Sequence, residues 1–263
     1  MPTSKAHNTY PAVQRPQFRA RVDAQLEELL QGYYKQSTDQ QKMLEQDGFD
    51  LELYKRHNVE TVLRICLRRG LDPLIAAYWA TRNPKLCQEW GLFGAEEGWH
   101  DRMFARDLHQ VGLTDEEIYA TRPTFATELL NGYFHFTLAT EGPLATMVSA
   151  FYLESLARRT QPAWLDKVEQ HIGTDKTRGA RAHLKLDEED EHIELTWNMV
   201  MNSIETPRDE ERFLEHLLKI NALFMAYFAE VYQSTHGAEL DDAQQAVAVP
   251  AAALRSAPAA FVI

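Results

Sequence analysis

Cysteine is almost missing from this chain: Cys66 and Cys87 are the only two, and they form no CxxC pair. A disulfide framework is excluded, and a reducing compartment such as the cytoplasm is the expected location. Basic charge is scarce as well, with 27 Lys and Arg against 39 Asp and Glu and a formal net charge of −12. Nucleic-acid binders and proteins of anionic membrane surfaces present a basic face, so the balance argues against both partners. No apolar run approaches the roughly 20 residues needed to span a bilayer. The opening stretch from Met1 to Asn8 lacks the apolar centre of a secretory signal. Period-2 alternation is missing too, and so is any repeat of fixed period. What the 263 residues do have is 44% hydrophobic composition, enough for a sizeable core, with apolar positions recurring at steps of three and four. An all-α protein is expected.

Proline and glycine punctuate that pattern. Residues 1–17 carry Pro2, Pro11 and Pro16 with few apolar anchors and read as a flexible arm. A helix is predicted over about 18–46, with Val22, Leu26, Leu29 and Leu30 on one stripe, and a second over about 57–69, stopped at Gly70. Asp72-Pro73 starts a third, and Asn83-Pro84 opens a long one running to about 111, before Gly112. Thr124 begins the next. Pro143 begins the helix that carries Glu154, and a short helix follows over 162–172. A long helix over about 175–205 and a last one over 208–234, after Pro207, complete the pattern. Residues 237–263 are Ala/Pro-rich and read as a flexible tail, leaving 18–236 as one helical domain.

The chemistry sits in three of these segments. In the first, Glu97 and His100 are three residues apart, and Glu96 and His100 four apart, so all share the apolar face of their helix with Asp107 further along. Burying a Glu and a His there is costly unless they are paired or bind a metal. In the second, Glu154 follows eleven uncharged residues; it is either a helix-end Glu neutralised by Arg158 and Arg159 or a buried carboxylate with a partner. In the third, His183 and Asp187 are four apart, and Asp190 falls on the same side. Glu189 and His192 form a second Glu-x-x-His step, but on a regular helix His192 points roughly 180° away from His183. A distortion such as a π-bulge is needed to bring both to one point. The five consecutive acids from Asp187 to Glu191 otherwise read as a solvated run. Carboxylates and neutral imidazoles converging from several helices form the ligand set of a di-iron bundle.

In order and spacing these residues resemble the haem-oxygenase-like di-iron oxidases, small helical enzymes that activate O2 without haem. Glu97 and His100 match that family's first ligand pair in its close-spaced form, as in fatty-acid-decarboxylating members. Glu154 within Phe151-Tyr-Leu-Glu-Ser matches the second position, and His183-x3-Asp187 the start of the third. The family's last histidine would fall at Asp190; the nearest is His192, so either Asp190 substitutes or a local bulge brings His192 round. The resemblance covers about residues 57–232. It implies an all-α, haem-oxygenase-like bundle of about seven core helices. It also implies two Fe ions held by Glu97, His100, Glu154, His183, Asp187 and His192, with Asp190, Glu189 and Glu96 as further candidates, and no catalytic residue beyond the ligands.

The implied activity is O2-dependent oxidation of a small amino-acid-like or fatty-acid-like substrate, by N-oxygenation, desaturation or oxidative C–C cleavage. Specialised metabolism, an external electron donor and a homodimer are expected with it. Arg102, Arg106, Arg158 and Arg181 are the candidates for binding a substrate carboxylate. A ferritin-like four-helix di-iron protein is the competing resemblance, with Glu60 joining Glu97/His100, Glu154 and Glu189/His192. A metal-free helical protein of the same shape is the third possibility.

Overall fold

The structure, a computed structural model, describes residues 15–36, 49–189 and 191–236. The arm up to residue 14, the end of the first predicted helix, Asp190 and the tail from 237 lie outside the described residues. Among the described residues all regular structure is helical. The elements are α1 (Arg15–Gln36), α2 (Leu51–Arg68), α3 (Asp72–Ala80), α4 (Pro84–Glu97), α5 (Asp101–Gln110), α6 (Asp115–Tyr119), α7 (Phe125–Thr140), α8 (Leu144–Ile172), α9 (Arg178–Glu189), α10 (His192–Ser203) and α11 (Pro207–His236). A single 3₁₀ turn, Thr174–Lys176, links α8 to α9.

Local chemistry explains most starts. Asp50 caps α2 by accepting from the Leu53 amide at 2.9 Å, and Asn83 caps α4 by accepting from Leu86 at 3.1 Å with Pro84 in the first helical position. Thr114 and Glu117 form a reciprocal capping box at α6. Besides α6, a short helix with no counterpart in the sequence-based expectation, three features differ from it. The predicted long helix over 85–111 is two, α4 and α5, separated by a turn at Gly98-Trp99-His100. The predicted break before 162 is absent: α8 continues through Pro162, although proline has no N–H to offer the preceding turn. The predicted helix over 175–205 is divided, with Glu191 in the left-handed region at φ 49° just before α10.

Two apolar clusters hold the helices together. The larger joins Phe18, Val22 and Leu26 of α1 to Trp90 and Phe93 of α4, Phe151 of α8, Trp197 of α10 and Phe213 of α11. The smaller joins Val59, Val62 and Leu63 of α2 to Phe104 and Leu108 of α5, Leu165 of α8 and Ala180 of α9. Each fully buried side chain of this kind contributes about 1.5–3 kcal/mol. No helix among the described residues is long and apolar enough to cross a membrane. The seam between the two clusters is where the polar residues gather: Phe93 of the larger packs edge-on against His192 at 5.6 Å, and Phe104 of the smaller against His183 at 5.2 Å.

Candidate metal centre

Both helix breaks lie at this seam and both aim a histidine. The turn after Glu97 lets Glu97 end α4 and His100 precede α5, their side chains meeting with His100 Nδ1 3.2 Å from Glu97 Oε2. The break before His192 makes that residue the first of α10 and turns its ring towards the others, which a continuous helix from 183 would not do. Glu191 accepts the left-handed conformation in order to make this turn, at about 1–2 kcal/mol for a non-glycine residue. Of the two alternatives at this position, the structure brings His192 round; Asp190 lies outside the described residues. Glu154 projects from the middle of α8 and is 7% exposed, so it is not a helix-end carboxylate, while Arg158 and Arg159 are exposed.

Helix α9, which carries His183 and Asp187, is fixed by a contact that sequence reasoning missed. Asp107, buried on α5, accepts from the amides of Gly179 and Ala180, each at 2.8 Å, so its carboxylate caps the first turn of α9. It does not join the metal candidates on its stripe. Burial raises the Asp107 carboxyl, against those two hydrogen bonds. Gly179 is needed there because a Cβ would lie 1.9 Å from the Met103 carbonyl oxygen.

Five of the six side chains form two overlapping groups, and Asp187 belongs to neither. Ligand-type atoms of Glu97, His100 and His183 lie within 4.8 Å of one another, and so do those of Glu97, Glu154 and His192. The His100 and His183 rings are 4.4 Å apart. Glu97 belongs to both groups. Asp187 lies between them, 2.8 Å from His183 Nδ1 and 3.3 Å from His192 Nδ1. His192 Nδ1 is also 3.4 Å from Glu97 and 3.9 Å from Glu154. Glu96 is at the rim, largely exposed, 3.8 Å from His192 Nε2. Glu189 ends α9, and its side chain lies outside the described residues.

These atoms touch without being aimed along hydrogen-bond directions. Glu97 Oε1, His100 Nδ1, His183 Nδ1, both Asp187 oxygens and both His192 nitrogens are buried with no hydrogen-bond partner. A buried polar atom left so costs about 1–3 kcal/mol. Lone pairs converging on shared points are what a cation satisfies, and oxygen with imidazole nitrogen and no thiolate suits iron. Electrostatics agree. Burial first, then the charges of Asp187 and Glu97, raises the Glu154 carboxyl well above the usual range. The Asp187 carboxylate raises His192 to about 9. Burial would lift Asp187, but His183 and His192 outweigh it and hold that carboxyl at about 2.

Glu60, the additional ligand of the ferritin-like alternative, is engaged elsewhere. It is fully buried, paired with Arg56 at 2.5 Å, and accepts from the Thr124 amide at 3.0 Å and the Thr127 hydroxyl at 2.6 Å, fastening α2 to the start of α7. A cavity of about 220 Å³ opens beside Glu97, Glu154 and His183. Its guanidinium groups are Arg64 and Arg68. Of the four arginines expected to clamp a substrate, Arg102 and Arg106 are exposed, and Arg181 pairs with Glu169 and Asp166. Arg158 borders a smaller hollow with Glu154 and Asp187.

Comparison with known proteins supports this picture. The fold is similar to that of a domain of unknown function with a heme oxygenase-like fold from Shewanella denitrificans OS217, at a TM-score of 0.73 and 18% identity, over 82% of this chain and 92% of that one. At that identity the likeness establishes the fold. No curated protein matches the chain. The profile of a family described as iron-containing redox enzyme matches residues 88–225, a span that holds Glu97, His100, Glu154, His183, Asp187 and His192. With that match covering more than half of its length, the chain belongs to the family of iron-containing redox enzymes.

Proposed function

We propose that this protein is a di-iron oxidase that uses O2 to oxidise a small organic substrate held in the cavity beside the site. The observation that carries the reading is the sharing of Glu97 between two ligand groups, one with His100 and His183 and one with Glu154 and His192. A single-metal site has no use for the second set. When bound, two irons would supply the electrons that O2 needs, and an external donor would provide those the substrate does not.

The chain's own residues perform the remaining tasks. Asp187 lies 2.8 Å from His183 Nδ1 and 3.3 Å from His192 Nδ1, and its negative charge holds the two imidazoles beside it. Phe93 and Phe104 pack on His192 and His183 and keep bulk water from the imidazoles. At about 220 Å³ the cavity falls below the usual 300–1,000 Å³ of drug-sized ligand pockets, so the substrate is small. The ferritin-like reading loses its first carboxylate because Glu60 is committed to Arg56, Thr124 and Thr127.

The test is anaerobic loading with Fe(II), followed by O2 uptake measured with and without a panel of small carboxylic acids and amino acids. Uptake accelerated by one class, with an oxidised product, is the expected result. Uptake that yields only mineralised ferric iron, indifferent to every organic compound, would overturn the oxidase reading.

A further inference from the structure

One charge in the cavity has no direct ion-pair partner among the described residues; Glu97 and Glu60 act on it only from beyond contact distance. Arg64, on α2, lines the cavity and makes no ion pair among the described residues. The acids near it are engaged: Glu60 with Arg56 and the threonine hydroxyls, and Asp72 with Arg68 Nε at 3.1 Å. Glu97 and Glu154 face the histidines of the metal centre. Arg64 Nε is buried without a hydrogen-bond partner. The guanidinium carbon instead lies 5.4 Å from the centre of the Phe224 ring. His57, also on the cavity wall, is lowered to about 4 by burial and then by Arg64, so it is neutral and adds no charge.

A desolvated guanidinium without an anion is costly, and stacking on an aromatic ring recovers only about 1–2 kcal/mol of that. An anion entering with the ligand would offset the rest, and the lining restricts its type. Leu130, Phe134, Leu153, Leu156, Phe224 and Phe228 make most of the wall apolar. Arg68, the other guanidinium of the lining, is already matched by Asp72, so a doubly charged phosphate would be half compensated. Every carboxylate of the lining is committed to Arg68 or to the metal centre, so a substrate ammonium would find no free partner.

We propose that Arg64 is the specificity-determining residue of the cavity: it binds the carboxylate of a small substrate whose remainder is apolar and uncharged. The inference rests on the reading that this cavity holds the substrate, and it selects simple carboxylic acids over zwitterionic amino acids. Arg64 lies outside the span matched by the family profile, residues 88–225.

The experiment is a binding titration on the full chain, both metal-free and loaded anaerobically with Fe(II). The probes are hexanoate, octanoate and 4-phenylbutyrate, set against 1-octanol, octylamine and 2-aminooctanoate. Trp164, on the cavity wall, serves as the fluorescent reporter, with calorimetry in parallel. The acids should bind at least about 30-fold more tightly than the alcohol, the amine or the amino acid. Arg64→Gln should weaken the acids by ~30-fold or more while leaving the alcohol and the iron content unchanged, and Arg64→Lys should recover part of the loss. Should Arg64→Gln not fold, the acid-to-alcohol ratio in the wild-type chain and its drop in Arg64→Lys decide the matter. Acids that bind no better than the alcohol, or equally to wild type and Arg64→Gln, or not at all, overturn the proposal. A chain that takes no iron yet binds octanoate through Arg64 would refute the metal reading alone. A chain that loads iron and ignores carboxylates would refute this inference alone.

Discussion

Gly179→Ala tests how tightly the metal-bearing helix α9 is seated on α5. The added Cβ would lie 1.9 Å from the Met103 carbonyl oxygen and 2.6 Å from its carbon, both backbone atoms that no rotamer change can move away. Real contacts of this kind stop near 3.0 Å, so α9 must retreat by about 1 Å or more. Overpacking against a fixed neighbour costs about 1–3 kcal/mol. The retreat also stretches the two 2.8 Å hydrogen bonds from the Gly179 and Ala180 amides to Asp107. Each is charge-assisted and contributes roughly 1.5–3 kcal/mol when fully formed. With partial loss of both, the expected destabilisation is about 4 kcal/mol, a large share of the ~5–15 kcal/mol that holds a typical domain. Urea unfolding followed by circular dichroism measures it, and metal content should fall in parallel because His183 moves with α9. A Gly179→Ala protein with the same urea slope and a loss under ~1 kcal/mol would refute the close approach on which this reasoning depends.

Two further outcomes are expected. Glu191→Gly should be neutral or stabilising by up to about 1 kcal/mol because glycine adopts the φ of 49° freely, whereas Glu191→Pro, fixed near −65°, should swing His192 away and lower metal content; equal metal content in the two variants would contradict the role assigned to the break. His216, buried and 2.7 Å from the Tyr133 hydroxyl, is lowered to about 4 by burial, against about 6.5 unfolded, so the unfolded chain takes up its proton first as pH falls. The stability linked to it is therefore complete above about pH 6.5 and is lost between 6.5 and 4, by up to about 3 kcal/mol, and His216→Gln should flatten that part of a pH series of urea midpoints.

Much of this architecture was legible because turn chemistry is local. Asn83-Pro84, Thr124 and Pro207 each begin a helix where their side chains or fixed φ predict one. The ligand candidates were legible for a related reason: Glu97, Glu154 and His183 sit on stripes where an unpartnered polar group would be costly. The breaks at 98–100 and before His192 were harder to read. No proline marks either, and they exist because the two clusters on either side of the seam fix α4 and α5, and α9 and α10, in separate directions. The spacing from His183 to His192 did require a distortion, and the left-handed Glu191 supplies it. Pro162 erred the other way, because packing of Leu165 and Val168 holds α8 together through a residue that normally ends a helix. Arg64 gave no signal at all: among Arg64, Arg68 and Arg69 it reads as one more charge on a solvated face, and only the tertiary fold turns it into a cavity. The same holds for Asp107, whose partners are amides about seventy residues away.

The central claim is that one shared carboxylate joins two metal positions, and metal stoichiometry after anaerobic Fe(II) loading and desalting tests it most directly. The account expects close to two irons per chain in the wild type. His100→Ala should hold about one, and so should His192→Ala, because each variant loses a ligand of a different group; Glu97→Ala, common to both, should hold markedly less than either. Helical circular dichroism should be retained throughout. A wild-type chain that binds no iron, or a His192→Ala chain that still binds two, would contradict the account.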